Sequence, residues 1–148
     1  LPETVERLAH VPNIIGIKEA TGKLERITDI AQRCGKEFGI YSGDDATAMD
    51  AMLLGAHGVI SVTTNVAPEK MAAMCEAALA GDTTKAKTIN NELMGLHQRL
   101  FLESNPIPAK WALEQMGKIK SGIRLPLLPL DRQFHQQMQE AMQQAGVK

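Results

Sequence analysis

The pattern of apolar and polar positions divides residues 1–81 into short apolar runs and longer amphipathic segments. The apolar runs, typical of buried strands, cover residues 14–20, 37–45 and 57–65. Between them, apolar residues recur every three or four positions, which is typical of helices that bury one face. Strands that alternate with such helices predict βα units and a parallel sheet. The strand spacing of roughly 20 to 25 residues fits either a (β/α)₈ barrel or a doubly wound sheet.

The alternation ends in the second region of the chain, residues 82–148, where only helical patterns remain. Asp82 can cap a long helix over residues 83–103. A second helix begins near Pro108, and a polar helix with an apolar stripe covers residues 131–145. A proline-punctuated connector separates these last two helices, because a residue before proline disfavours helix. The sequence therefore predicts βα units over residues 1–81, of a barrel or a doubly wound sheet, followed by a three-helix segment over residues 82–148.

Composition limits the classes of function. The 148 residues fit the usual range for one domain, and the low aromatic content of 3% beside 44% apolar residues predicts an aliphatic core. A net charge of −1, with no basic stripe, gives no signature of nucleic-acid binding. No apolar run is long enough to span a membrane and no signal peptide is recognisable, which predicts a soluble cytoplasmic protein.

The cysteines and histidines show no metal-binding pattern. Cys34 and Cys75 lie in separate helix-like segments without a CxxC pair, so we expect reduced core thiols. The four histidines fall in separate elements, and no HxxxH or HExxH spacing occurs. A zinc site is therefore not expected.

Lys18 is the strongest candidate for chemistry because it interrupts an apolar strand. Strand alternation places it on the same face as Gly16 and Ala20, which leaves room around its amine. Ligands of barrels and parallel sheets bind at the carboxyl ends of strands, where Lys18 lies. Burial there would lower its pKa and allow the neutral amine to form a Schiff base with a carbonyl. The alternative is a strand-end lysine that reaches solvent or pairs with Asp44.

Two further strand ends carry candidate residues. Asp44 and Asp45 follow the second strand, where a helix cap is the favoured interpretation and a catalytic or metal-binding carboxylate the alternative. Gly43 has no side chain, so a ligand can approach its backbone closely. Ile60, at the end of the third strand, lines the same mouth or belongs to the core.

The motifs as a set resemble the dihydrodipicolinate synthases, within the N-acetylneuraminate lyase superfamily of class I aldolases. IIGIKEATG (14–22), YSGDD (41–45) and GVISVTTN (58–65) resemble three successive strand ends of that family. NPIPAKWAL (105–113) and RLPLLPL (124–130) resemble its C-terminal helical segment. The resemblance covers nearly the whole chain. It implies the C-terminal part of a (β/α)₈ TIM barrel, with about three parallel strands and a three-helix segment.

The resemblance also implies a function. Lys18 would form a Schiff base with pyruvate, and the enamine would add to L-aspartate semialdehyde in diaminopimelate and lysine biosynthesis. Gly43 and Ile60 would contact pyruvate, no metal or organic cofactor would be needed, and the assembly would be a homotetramer. The chain does not match the family's first five strands, its proton-relaying tyrosines or its substrate-binding arginine, and Tyr41 does not fit the relay motif. We therefore expect a fragment that is nearly inactive alone.

Two alternatives remain open at this point. One is a sibling pyruvate-dependent aldolase or lyase that acts on another aldehyde, of the sialic acid or keto-sugar type. The other is a non-catalytic α/β module that associates with itself through its unpaired strand edges.

Overall fold

A computed structural model describes residues 1–147 as an α/β structure with a small parallel sheet. Seven α-helices and three strands occur in this part of the chain. In chain order they are α1 (Pro2–Ala9), β1 (Gly16–Glu19), α2 (Leu24–Cys34), β2 (Gly39–Ser42), α3 (Ala48–Leu53), β3 (Gly58–Val59), α4 (Pro68–Leu79), α5 (Thr83–Arg99), α6 (Ile107–Gln115) and α7 (His135–Gln144). None of the helices within residues 1–147 is both long and apolar enough to cross a membrane.

The three strands pair in parallel in the order β1-β2-β3, as the alternation of strands and helices predicts. Lys18 lies opposite Tyr41, and Ser42 lies opposite Val59. All three strands are shorter than predicted. The third is reduced to two residues, because the chain turns at Val62 into a short 3₁₀ helix over Thr63–Asn65.

The described residues form two compact units. The first comprises residues 1–61 and 74–87, and the second comprises residues 62–73 and the chain from residue 88 onward. The sheet lies in the first unit, and its core forms where one face of the sheet meets the apolar faces of α2 and α3. The buried side chains there are those of Ile27, Ile30, Phe38, Ile40, Ala48, Met49 and Met52.

In the second unit, α5, the residue that follows it and α7 contribute an aliphatic core of Leu93, Leu96, Leu100, Met138, Ala141 and Met142. Gly95 allows a close helix contact, because a Cβ at that position would lie 2.5 Å from Oε1 of Gln144. Aromatic side chains take little part, as the composition predicts. Trp111 is the exception, since its buried ring stacks on His135 with the ring centroids 4.7 Å apart.

One predicted helix end is confirmed and two differ from the structure. Asp82 caps α5 as predicted, since its Oδ1 accepts a hydrogen bond from the backbone N–H of Lys85 at 3.0 Å. The helix predicted over residues 83–103 ends earlier, at Arg99, and Phe101 beyond it is exposed. The predicted last helix divides into a 3₁₀ turn over Arg132–Phe134 followed by α7.

Candidate active site at the strand ends

The three residues predicted to form the site meet at the carboxyl edge of the sheet. Lys18 is in β1, Gly43 follows β2 directly, and Ile60 follows β3 directly. The backbone N–H of Gly43 donates to the carbonyl of Glu19 at 2.8 Å. That of Ile60 donates to the carbonyl of Ser42, also at 2.8 Å. The parallel ladder therefore extends one residue beyond the strands and holds these positions side by side.

Gly43 makes room for the Lys18 side chain. A Cβ at position 43 would lie 2.7 Å from Cε of Lys18, 3.1 Å from its Cγ and 2.6 Å from Cβ of Ala20. Such distances are well inside van der Waals contact, so only glycine fits beside the extended lysine stem. Gly43, predicted to let a ligand approach its backbone, therefore also has a packing role.

The burial expected for Lys18 is wrong for this chain. Lys18 is exposed, as are Ala20 and Ile60, the last with 51% of its surface accessible. These residues share the sheet face that points away from α2 and α3. Within residues 1–147 only the opposite face is covered, and Ile60 is not part of the core that these residues form.

Tyr41 covers the sheet beside Lys18 and was not predicted to have this role. The two residues are paired in register, so their side chains emerge from the same face. The Tyr41 ring lies over two glycines: its Cε2 is 3.0 Å from a Cβ built at Gly39, and its Cδ1 is 3.5 Å from one built at Gly58. The phenolic oxygen points toward Gly39, at the amino end of β2. It therefore points away from Gly43, where the Lys18 stem extends.

Glu19 anchors the carboxyl end of β1 on the helix side and was also missed. The residue is only 5% exposed, and its carboxylate accepts hydrogen bonds from the Thr21 backbone N–H and from Nε of Arg26, each at 2.8 Å. Burial by itself would raise the pKa of Glu19, but the hydrogen bonds from Thr21 and Arg26 outweigh it and lower that pKa. A glutamate next to an apolar strand is a signal that a nearby cation is needed to pair with it.

Thr21 belongs to the same turn and does not cap α2, because α2 begins at Leu24 and its N-cap position is Lys23, without a side-chain cap. The hydroxyl of Thr21 instead accepts a long hydrogen bond, 3.4 Å, from the backbone N–H of Lys23. Thr21 therefore belongs to the turn that Glu19 organises.

Asp44 was expected to cap the helix after the second strand, but the N-cap position of α3 is Thr47, without a side-chain cap, and Asp44 instead holds the turn before the helix. Its Oδ2 accepts hydrogen bonds from the backbone N–H of Thr47 at 3.0 Å and from the Thr47 hydroxyl at 2.7 Å, just before α3 begins. Asp45 is buried. Among the described residues Asp44 forms no ion pair with Lys18, and no group of three or more potential ligands among histidine, cysteine, aspartate and glutamate is arranged to hold a metal.

Comparison with known proteins assigns the family. The model of the dihydrodipicolinate synthetase family matches residues 1–145. The chain belongs to this family. Among curated members, the 4-hydroxy-tetrahydrodipicolinate synthase of Alcanivorax borkumensis is 63% identical over 147 residues, and that of Pseudomonas aeruginosa is 60% identical over the same length. Each match covers 99% of this chain and 50% of the relative.

The fold agrees with this assignment. A crystal structure of dihydrodipicolinate synthase from Acinetobacter baumannii, described as chloride-inhibited and complexed with pyruvate, superimposes with a TM-score of 0.96 at 50% identity. It covers 99% of this chain and 50% of the solved one. The chain thus spans about half the length of its relatives. The covered shares give the length of the match but not which half of the longer proteins it occupies. That the chain corresponds to their C-terminal half stays a prediction from the motifs.

Proposed function

We propose that Lys18 is the Schiff-base lysine of a pyruvate-dependent synthase that makes 4-hydroxy-tetrahydrodipicolinate. The observation that carries the proposal is the setting of Lys18: an amine at the carboxyl edge of a parallel sheet, with its stem held against Gly43. Membership of the dihydrodipicolinate synthetase family supports it. So does the solved relative from Acinetobacter baumannii, which was crystallised with pyruvate.

The chemistry follows from the reactivity of an amine towards a ketone. The neutral Lys18 amine adds to the pyruvate carbonyl, and loss of water gives an imine. The protonated imine nitrogen accepts the electron pair released when the pyruvate methyl group loses a proton, which gives an enamine. The enamine carbon then bonds to the aldehyde carbon of L-aspartate semialdehyde, and ring closure by the semialdehyde's amine on the imine carbon releases Lys18. The imine nitrogen is the electron sink, so this route uses no metal or organic cofactor.

Gly43 and Ile60 complete the proposed pyruvate site. The Gly43 backbone lies against the Lys18 stem and the Ala20 methyl group, so a small keto acid joined to the Lys18 amine would lie close to it. Ile60 offers an exposed apolar surface at the neighbouring strand end, against which the pyruvate methyl group can pack. A cytoplasmic location and a homotetrameric assembly stay predictions.

The full reaction needs groups beyond this chain. On the family pattern, the proton-relaying tyrosines and the arginine for the second substrate lie in the half of the family's length that is not matched here. General acid and base catalysis is typically worth about 10²–10⁴-fold in rate. We therefore propose that the 148 residues alone are nearly inactive in the condensation.

The test is covalent trapping. The complete product of the gene is incubated with pyruvate and borohydride, and its intact mass is measured beside the variants Lys18→Ala and Lys23→Ala. Lys23 is the matched control, since it is an exposed lysine in the turn after the same strand. One reduced adduct in wild type and in Lys23→Ala, absent from Lys18→Ala, is the expected result. An adduct that survives in Lys18→Ala, or none in wild type, would overturn the proposal.

The identity of the aldehyde needs a separate measurement. The turnover of L-aspartate semialdehyde by the complete gene product is compared with its turnover of aldehydes of the sialic acid and keto-sugar type. Preference for the semialdehyde is expected, because the curated relatives are named for 4-hydroxy-tetrahydrodipicolinate, the product of its condensation with pyruvate. Preference for a sugar aldehyde would instead identify a sibling aldolase with the same Schiff-base lysine.

A further inference from the structure

Glu19 forms hydrogen bonds with residues near Lys18 through both its backbone and its side chain. Its carbonyl accepts the Gly43 N–H at 2.8 Å, which ties β1 to the glycine that borders the Lys18 stem. Its side chain points to the opposite face from Lys18, as adjacent strand residues do. There it accepts the Thr21 N–H and Nε of Arg26.

We propose that Glu19 and Arg26 form a clamp that positions Lys18 for imine formation, acting from the helix side of the sheet. Neither residue touches the substrate in this arrangement, so both are positioning residues. The proposal rests on the proposed Schiff-base role of Lys18 and names the residues that hold that lysine in place.

The geometry of the turn explains why the clamp reaches the amine. One Glu19 oxygen binds Thr21 and the other binds Arg26, so the carboxylate fixes the path of the chain on both sides of Ala20. Cβ of Ala20 lies 2.6 Å from a Cβ built at Gly43, beside the Lys18 stem. A shift in the turn therefore moves Ala20 and the end of β1 together, and Lys18 moves with its neighbours.

Charge makes the clamp depend on both partners. The Glu19 side chain is 4% exposed and that of Arg26 is 23% exposed, with Nε of Arg26 2.8 Å from Oε2 of Glu19. Removing one member of a buried pair leaves the other without its counter-charge, which is costly, whereas removing both avoids that cost. We therefore expect the turn to relax when either residue is replaced alone, and the two effects to be far from additive.

The experiment is single-turnover trapping in the complete gene product. Pyruvate is saturating and cyanoborohydride is in excess, so that the observed rate constant reports imine formation and the amplitude reports the folded fraction. Glu19→Gln and Arg26→Gln should each lower the rate constant by about tenfold, because a displacement of part of an ångström is costly at a reacting atom. The double variant should be no slower than the slower single variant.

Two further variants keep the test decisive. Arg33→Gln, on the same helix α2, removes exposed ion pairs to Glu3, Glu6 and Asp29 and should leave the rate constant unchanged. Arg26→Lys keeps the charge but not the fixed guanidinium geometry, and should give a rate constant between those of wild type and Arg26→Gln. This variant carries the test if Glu19→Gln fails to fold.

The outcomes separate this inference from the proposed function. If the variants lower only the amplitude and leave the rate constant at the wild-type value, Glu19 and Arg26 serve stability alone and the clamp is wrong. If wild type itself forms no imine, the proposed function fails and the clamp fails with it. A lowered rate constant with a normal amplitude supports both.

Discussion

Ile40 and Tyr41 are neighbours in β2, yet Ile40 is 1% exposed and Tyr41 is 40% exposed. The same contrast holds in β1, where Glu19 is buried and Lys18 is exposed. One face of the sheet is packed against helices, and the other, with the candidate chemistry, is open. Alternate residues of the same strands therefore face the apolar core and the candidate site.

Polar groups on the two faces meet different conditions. On the helix face they are paired, since buried polar groups must be. The Ser42 hydroxyl donates to the carbonyl of Asp44 at 3.0 Å and accepts from its N–H at 3.2 Å, and Glu19 is paired with Arg26. On the open face the Lys18 amine can be solvated by water. Substitutions in the apolar core of the helix face should therefore change stability, whereas those around Lys18, including Glu19 on the helix face, should change reactivity.

The largest effect is expected from the core of the helix face. Ile40→Ala removes a fully buried side chain and should lower the free energy of unfolding by about 2–5 kcal/mol. Ile60→Ala removes an exposed side chain and should change it by no more than about 0.5 kcal/mol. Urea unfolding of the 148-residue chain measures both. Equal losses would show that the two faces are equally covered in solution, and the contrast between a packed face and an open face would be wrong.

Gly43→Ala comes next, because it introduces a methyl group onto the open face against Lys18 and Ala20. The distances of 2.7 Å to Cε of Lys18 and 2.6 Å to Cβ of Ala20 require both to move. Overpacking of this kind typically costs about 1–3 kcal/mol in stability. We also expect the rate of imine trapping in the complete gene product to fall by about tenfold or more, since the amine is displaced.

A second substitution sharpens this prediction. Ala20→Gly in the Gly43→Ala background removes the clash between the two methyl groups but not the clash with the Lys18 stem. Unfolding should return toward the wild-type free energy while the trapping rate stays low. Recovery of the rate by Ala20→Gly would show that Gly43 acts through the turn and not through contact with Lys18.

Part of this arrangement could be read from the sequence because it depends on short-range rules. Alternation within β1 placed Lys18 and Glu19 on opposite faces, and the rule that parallel strands end at one edge brought Lys18, Gly43 and Ile60 together. The cap by Asp82 needed only a residue beside the helix start. The alternation and the cap are each decided within a few residues along the chain, whereas the meeting of the three strand ends follows from the repeated order of strand and helix.

Whether Lys18 is buried or exposed could not be predicted in the same way. Whether a strand face is covered depends on what packs against it, and the apolar pattern of residues 14–20 is the same for a covered and an open face. The role of Tyr41 was hidden for a related reason, because its contacts with Gly39 and Gly58 depend on strand register. The Glu19 partner, Arg26, required knowing how the turn before α2 folds.

The smallest effect is the pH dependence that the helix face adds through Glu19. Its pKa lies below the ordinary value of 4.5 in the folded chain. As the pH falls through 4.5, the unfolded chain binds a proton at Glu19 before the folded chain does, so this contribution to stability is present above pH 4.5 and is lost below it. The difference in unfolding free energy between wild type and Glu19→Gln, measured by urea titration, should therefore shrink as the pH falls from 6 through 4.5. The matching difference for Ile60→Ala, which changes no ionisable group, should stay constant. A Glu19→Gln difference that is equally constant would mean that the carboxylate gains nothing from Thr21 and Arg26 on folding, and the contrast between the two faces would then rest on apolar packing alone.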